Sequence, residues 1–190
     1  MKKFLRIFGI VSVIIVFAVL ILAAFLPSKI SIVEEISIKA PSGLVFDQVN
    51  QLRNWEKWSP WHIENPDMKI NYDNIDIGKN AGYCWESDHS GNGCLKITSS
   101  EYRKQIKTKI QFENRGNAEG KWIFNEKNEI TTVQWKMDID RLGYPFGRLT
   151  GFFMNGKIKE SLSTGLTNLK DLCESMPESE KIAYQINLQE

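Results

Sequence analysis

The chain has 190 residues, 42% hydrophobic and 25% charged, an ordinary globular composition with room for one domain and a real core. Its formal net charge is +1, and setting aside Lys2, Lys3 and Arg6 leaves 21 basic against 23 acidic residues. A body so balanced has no electrostatic means of gripping phosphate backbones, which excludes nucleic acid as an expected partner.

The first segment carries its only charges at Lys2, Lys3 and Arg6 and then runs uncharged from Ile7 to Leu26. As a helix that stretch rises about 30 Å, the thickness of the hydrocarbon layer. Residues 1–27 are therefore expected to be a membrane anchor, with 4–26 in the membrane. The positive-inside bias would hold the N-terminus in the cytoplasm and leave the body outside. A secretory signal is the competing reading, but Ala23-Ala24-Phe25-Leu26-Pro27 offers no clean small-residue cleavage site.

After Pro27, Ile30, Ile32, Ile36 and Ile38 alternate with polar residues, as a half-buried strand requires. Glu34 interrupts the apolar face, either because it lies near a solvated strand start or because it enters a cavity. Pro41 and Ser42 supply helix-start chemistry for a short helix carrying Leu44, Val45, Val49 and Leu52. Next comes NWEKWSPW, residues 54–61, with three of the six tryptophans. Pro60 disfavours a helical Ser59, so a helix should end near Trp58 with Trp61 on the exit, and the three rings should not all face one core.

From Met68 onward the alternation predicts six consecutive strands, marked by Ile70 and Tyr72, Tyr83 and Trp85, Leu95 and Ile97, Ile106 to Phe112, Trp122 and Phe124, and Thr131 to Ile139. The run Ser-Gly-Asn-Gly at 90–93 marks a hairpin between Cys84 and Cys94. A turn centred near His89 brings these cysteines opposite each other, whereas one centred on Gly91 and Asn92 puts Cys84 opposite Ser99. An extracytoplasmic setting permits a disulfide, and the odd third thiol, Cys173, is expected to be buried. There is no C-x-x-C, and His62 and His89 are too few and too far apart for zinc, so no metal and no cofactor is expected.

The period then changes. Met154, Ile158, Leu162, Leu166, Leu169, Leu172 and Cys173 recur every three or four residues, predicting one long helix with a single apolar face. Only this helix is long enough to cover the sheet, which must curl around it. Gly165 in its interior implies either a tight crossing with Trp135 or Phe152, or spare volume. Residues 176–190 read as a polar linker followed by Ile182, Tyr184, Ile186 and Leu188, which alternate like an unpaired strand.

IVEEISIKAPSGLVFDQV, NWEKWSPW, GYCWESDHSGNGCLKI, TTVQWKMD and GLTNLKDLCE, in this order, resemble the landmarks of the START-like SRPBCC superfamily and its polyketide cyclase/dehydrase and lipid-transport branch. The resemblance runs over roughly residues 30–175 and implies an α+β helix-grip fold for a domain at 28–175. In that fold a curved antiparallel sheet of six to seven strands wraps around the long C-terminal helix. A cavity between them would hold an apolar or amphipathic small molecule or a lipid.

Inward parity nominates Tyr83, Trp85, Phe112, Trp122, Trp135 and Met137 for the sheet wall of that cavity. Met154, Ile158, Leu162 and Gly165 would form the helix wall, and Trp58 or Trp61 would close one end. The alternatives are a protein-interaction module whose cavity is self-filled, and a cyclase-like enzyme. No G-x-S-x-G or Cys/His pair is present, so an acid or base would come from Glu34, Tyr83, His62 or Asp88. Glu34 is the first candidate, as a carboxylate on an otherwise apolar face.

Overall fold

A computed structural model describes residues 2–88, 91–113, 116–140 and 142–186. Met1, the hairpin tip at His89 and Ser90, and Leu188 of the tail lie outside these described residues. The chain begins with helix α1 (Lys2–Phe25), whose segment Arg6–Phe25 is long and apolar enough to cross a membrane. Strand β1 (Ile30–Ile38) follows, then α2 (Ser42–Asn50), a 3-10 turn at Leu52–Asn54, and the short helices α3 (Trp55–Trp58) and α4 (Pro60–Glu64).

Six strands come next: β2 (Lys69–Tyr72), β3 (Gly82–Glu86), β4 (Gly93–Glu101), β5 (Gln105–Phe112), β6 (Gly116–Lys127) and β7 (Ile130–Ile139). Two helices close the chain, α5 (Phe146–Ser175) and α6 (Glu178–Ile186). The strands form one antiparallel sheet in the order β1-β7-β6-β5-β4-β3-β2, so only β1 has moved out of sequence to close the far edge. This is the expected α+β arrangement, a sheet curved around the long C-terminal helix.

The two halves of α5 differ in what they bury. Leu162, Gly165, Leu166, Leu169 and Cys173 are buried against the sheet and the short helices, whereas Phe152 to Lys157 are exposed throughout. The helix therefore grips along its C-terminal half, and of its residues before Ile158 only Gly151 is buried, against Leu142 and Ile30. It begins eight residues before the Met154 that opened the predicted stripe. Gly147, Gly151 and Gly156 weaken local helix propensity there, and the exposed Phe152 and Phe153 blur the apolar face.

The β3–β4 register pairs Cys84 with Cys94, the arrangement of a turn centred near His89, and the two are joined by a disulfide. For a loop this short the chain-entropy contribution is about 2–3 kcal/mol. Cys173 is a buried free thiol whose pKa burial pushes up to about 12, so it is unreactive at neutral pH.

Three expectations are corrected. The tail is a helix and not a strand. Glu178 and Glu180 occupy the first turn of α6, where carboxylates favour a helix N-terminus, and Tyr184 donates a hydrogen bond to Asp47 Oδ2 at 2.9 Å, which docks α6 on α2. Glu34 lies mid-strand opposite Trp135 and not at a solvated start; its carboxylate sits 3.7 Å from Lys159 Nζ on α5. Finally, the tryptophans of residues 54–61 do gather on one core, because the chain breaks at an extended Ser59 and α4 swings Trp61 back toward the ring that Trp58 already meets.

Candidate functional site

Five of the six tryptophans pack as one cluster around Trp135. Trp122 and Trp135 are direct partners on β6 and β7, stacked with ring centroids 4.0 Å apart. Trp55, Trp58 and Trp61 meet Trp135 roughly edge-on at 6.5, 6.2 and 5.6 Å, the arrangement that aromatic quadrupoles favour. Two indole N–H groups are satisfied locally, Trp55 donating to Val49 O and Trp58 to Gln48 O. The W-x-x-W spacing thus plugs the end of the space where sheet and α5 diverge.

Beyond this plug lies a cavity of about 660 Å³, a volume suited to a small organic molecule or a single acyl chain. Its sheet wall includes Tyr83 and Trp85 on β3, Phe112 on β5, and Trp135 and Met137 on β7; its helix wall includes Met154 and Ile158; and Trp61 closes one end. Eight of the twelve residues nominated from sequence are therefore brought to one space.

The other four stand behind the wall. Trp58, Trp122 and Leu162 are fully buried in the cluster and the helix grip, where inward parity leads to packing rather than to open volume. Gly165 preserves no volume for a ligand: a Cβ there would stand 3.0 Å from Trp135 and 3.1 Å from Pro60, so the glycine serves a close crossing. Phe152, the other partner considered for that crossing, is exposed on α5.

Several lining residues were not nominated. Leu95, Thr108 and Ile110 were legible by the same strand parity that found Phe112. Trp55 lines the space because α3 turns both of its tryptophans inward. Leu142, Gly143, Gly147, Thr150 and Gly151 come from the loop before α5 and from its unpatterned first turns, which carry no sequence signal for a wall.

Of the four acid–base candidates, two line the cavity. His62 and Tyr83 face each other with ring centroids 5.6 Å apart, while Glu34 and Asp88 do not border the space. His62 is 8% exposed, and among the described residues neither of its ring nitrogens has a hydrogen-bond partner. Burial lowers its pKa to about 4, against a weaker opposing pull from Glu56, so the imidazole is neutral at pH 7. Burial also raises the pKa of Tyr83, with a smaller contribution from Tyr72, which keeps its phenol protonated. Among the described residues the lining thus offers a neutral imidazole and a phenol, with the hydroxyls of Thr108 and Thr150, and no carboxylate. Among the described residues no group of three or more His, Cys, Asp or Glu side chains could hold a metal ion.

A curved antiparallel sheet closed over a cavity by one long helix defines the SRPBCC, or START-like, class of protein. The family model described as polyketide cyclase / dehydrase and lipid transport matches residues 29–174, and the chain belongs to that family. Among solved structures, the chain is similar to protein MLL2253 from Mesorhizobium loti, at 12% identity and a TM-score of 0.58 over 78% of this chain and 99% of that one. Protein CV1439 from Chromobacterium violaceum matches at 12% identity and a TM-score of 0.56, covering 77% and 98%. DynU16, from the dynemicin biosynthetic locus, matches at 14% identity and a TM-score of 0.55, covering 76% of this chain; the chain spans about half of DynU16, 47% of its length. At such identities the likeness concerns the fold alone. Comparison with curated proteins by sequence gave no match.

Proposed function

We propose that the chain is a membrane-anchored binding protein that holds an apolar or amphipathic small molecule or lipid between its sheet and α5. The observation that carries this reading is the 660 Å³ cavity itself, walled by aromatic and aliphatic side chains and furnished with few polar groups. The family description covers both cyclases and lipid transport. Binding is favoured over catalysis because, among the described residues, the polar lining is uncharged: His62 and Tyr83 can orient a hydroxyl or carbonyl, and no described carboxylate borders the cavity to drive proton transfer.

The anchor is assigned to residues 4–26 within a segment 1–27, the binding domain to 28–175, and the helical tail to the stretch beyond. Arg6–Phe25 is apolar, uncharged after its first residue and almost wholly exposed, which suits contact with lipid better than a core helix. A body outside the cytoplasm accords with the Cys84–Cys94 disulfide, since such bridges persist in oxidising compartments.

The test is saturable binding of an apolar fluorescent probe, such as a pyrene-labelled fatty acid, to the full chain in mild detergent. Native mass spectrometry of the same sample would seek a co-purifying molecule. Ala118 lies in the sheet wall between Ile110 and Ile139, so Ala118→Trp projects an indole into the cavity. It is expected to weaken probe binding about tenfold or more with little change in the unfolding temperature. A folded wild-type protein that binds no such probe would sink the pocket reading and favour a protein-interaction module.

A further inference from the structure

The mouth of the cavity and the end of α1 are joined. The Leu142 N–H donates to Ser28 O at 3.0 Å, the Tyr144 hydroxyl donates to Leu20 O at 2.9 Å, and Arg148 Nη1 donates to Ala24 O at 3.3 Å, with Ala23 O and Leu26 O each at 3.5 Å. The guanidinium thus sits over the carbonyls that a helix C-terminus leaves unpaired. Leu142, Gly147 and Gly151 on this same stretch line the cavity, and Gly143 and Thr150, which also line it, are open to the surface.

The outer side of the stretch is apolar. Phe146 and Phe153 are each 75% exposed and seven residues apart, which puts them on one stripe of α5, and Phe152 lies beside Phe153 with ring centroids 5.6 Å apart. Among the described residues, every exposed phenylalanine outside α1 lies here. From Phe146 to Gly156 the only charge is Arg148, already engaged with α1. A surface of this composition on a water-soluble face would need a partner.

We propose that this face, from Tyr144 to Met154 together with the end of α1, lies in the lipid interface and opens the cavity directly onto the bilayer. The ligand is then a membrane amphiphile drawn from the leaflet, entering along the edge of α5 at Gly143 and Thr150. This inference rests on reading α1 as a membrane span. Continuity with α1 identifies the occupant as lipid: Leu20 lies five positions, or about 7.5 Å of helix, before Phe25, where α1 ends. A side chain bonded to Leu20 O therefore reaches the outer part of the hydrocarbon layer. Tyrosine is enriched at that boundary, and an arginine there can keep its head at the headgroup level.

The test uses the full chain in phosphatidylcholine–phosphatidylglycerol vesicles. Cysteines introduced as Phe153→Cys and Lys127→Cys, the latter at the opposite end of β6, carry nitroxide labels; Cys84 and Cys94 are bridged and Cys173 is buried. The label at 153 is expected to collide with oxygen in preference to a water-soluble nickel chelate, and the label at 127 to show the reverse. Replacing both exposed rings, Phe152→Asp with Phe153→Asp, is expected to slow uptake of a pyrene-labelled fatty acid from the vesicles by about tenfold or more. Affinity for the same probe delivered in detergent should be unchanged. Equal chelate accessibility at 153 and 127, or an unchanged uptake rate in the double variant, with α1 still resistant to carbonate extraction, overturns the lipid-facing mouth and leaves the anchor standing. Release of the chain by carbonate overturns both.

Discussion

Trp135→Ala is expected to destabilise the domain by about 3–5 kcal/mol, read as a lowered unfolding midpoint of the full chain in mild detergent. The indole is 2% exposed, stacks on Trp122 and receives the edges of Trp55, Trp58 and Trp61, so its removal strips contacts from four other rings at once. The surrounding elements can collapse only partly, because α5 already crosses Trp135 closely at Gly165. Trp61→Ala should cost markedly less, since that ring is only partly buried at the rim. The same crossing rejects added bulk: Gly165→Leu is expected to cost about 1–3 kcal/mol by overpacking, and to leave probe affinity unaltered in the molecules that remain folded. A neutral Gly165→Leu would show that Trp135 and Pro60 can yield, and that the helix grip is looser than it looks.

The strands were legible because each has one face to bury, and period-two alternation survives wherever that is so. β7 shows the rule plainly: Val133, Trp135 and Met137 are buried while the residues between them are only partly covered. What alternation could not separate was a wall from the packing behind it. Trp122 and Trp135 both face inward and are direct partners on neighbouring strands, yet only Trp135 borders the cavity, because where α5 leaves the sheet depends on the course of the helix and not on either strand. The tail misled for a related reason. Ile182, Tyr184 and Ile186 fit a strand period, but α6 is fixed by a contact far away in sequence, Tyr184 on Asp47, and by Lys181 donating to Glu174 O near the end of α5. Glu34 was read as anomalous when only its own strand was considered. Its partner Lys159 is on an element 125 positions later, and no local pattern announces that pairing.

His62 carries the second large expected effect, and it is one of pH. An unfolded histidine titrates near 6.5, whereas the buried imidazole at the cavity end titrates near 4, so between those values the unfolded chain binds a proton that the folded chain refuses. Stability from this group is therefore fully present above pH 6.5, falls as the pH drops toward 4, and levels off below it. Displacing the imidazole pKa from 6.5 to about 4 corresponds to a loss of about 3 kcal/mol by pH 4. His62→Leu removes the titration while filling a similar apolar site beside Tyr83, and carboxylates that protonate in the same range affect both proteins alike. The informative quantity is thus the difference between the two unfolding free energies, followed from pH 7.5 to 4. It is expected to shift against the wild type by about 3 kcal/mol over that window, with the imidazole proton resonances of His62 moving only near pH 4. A pH-independent difference, or an imidazole that titrates near 6.5 in the folded protein, would mean that water reaches this end of the cavity freely. An imidazole kept neutral in an apolar wall, with both nitrogens unengaged among the described residues, is instead poised to meet a hydroxyl or carbonyl on whatever occupies the space.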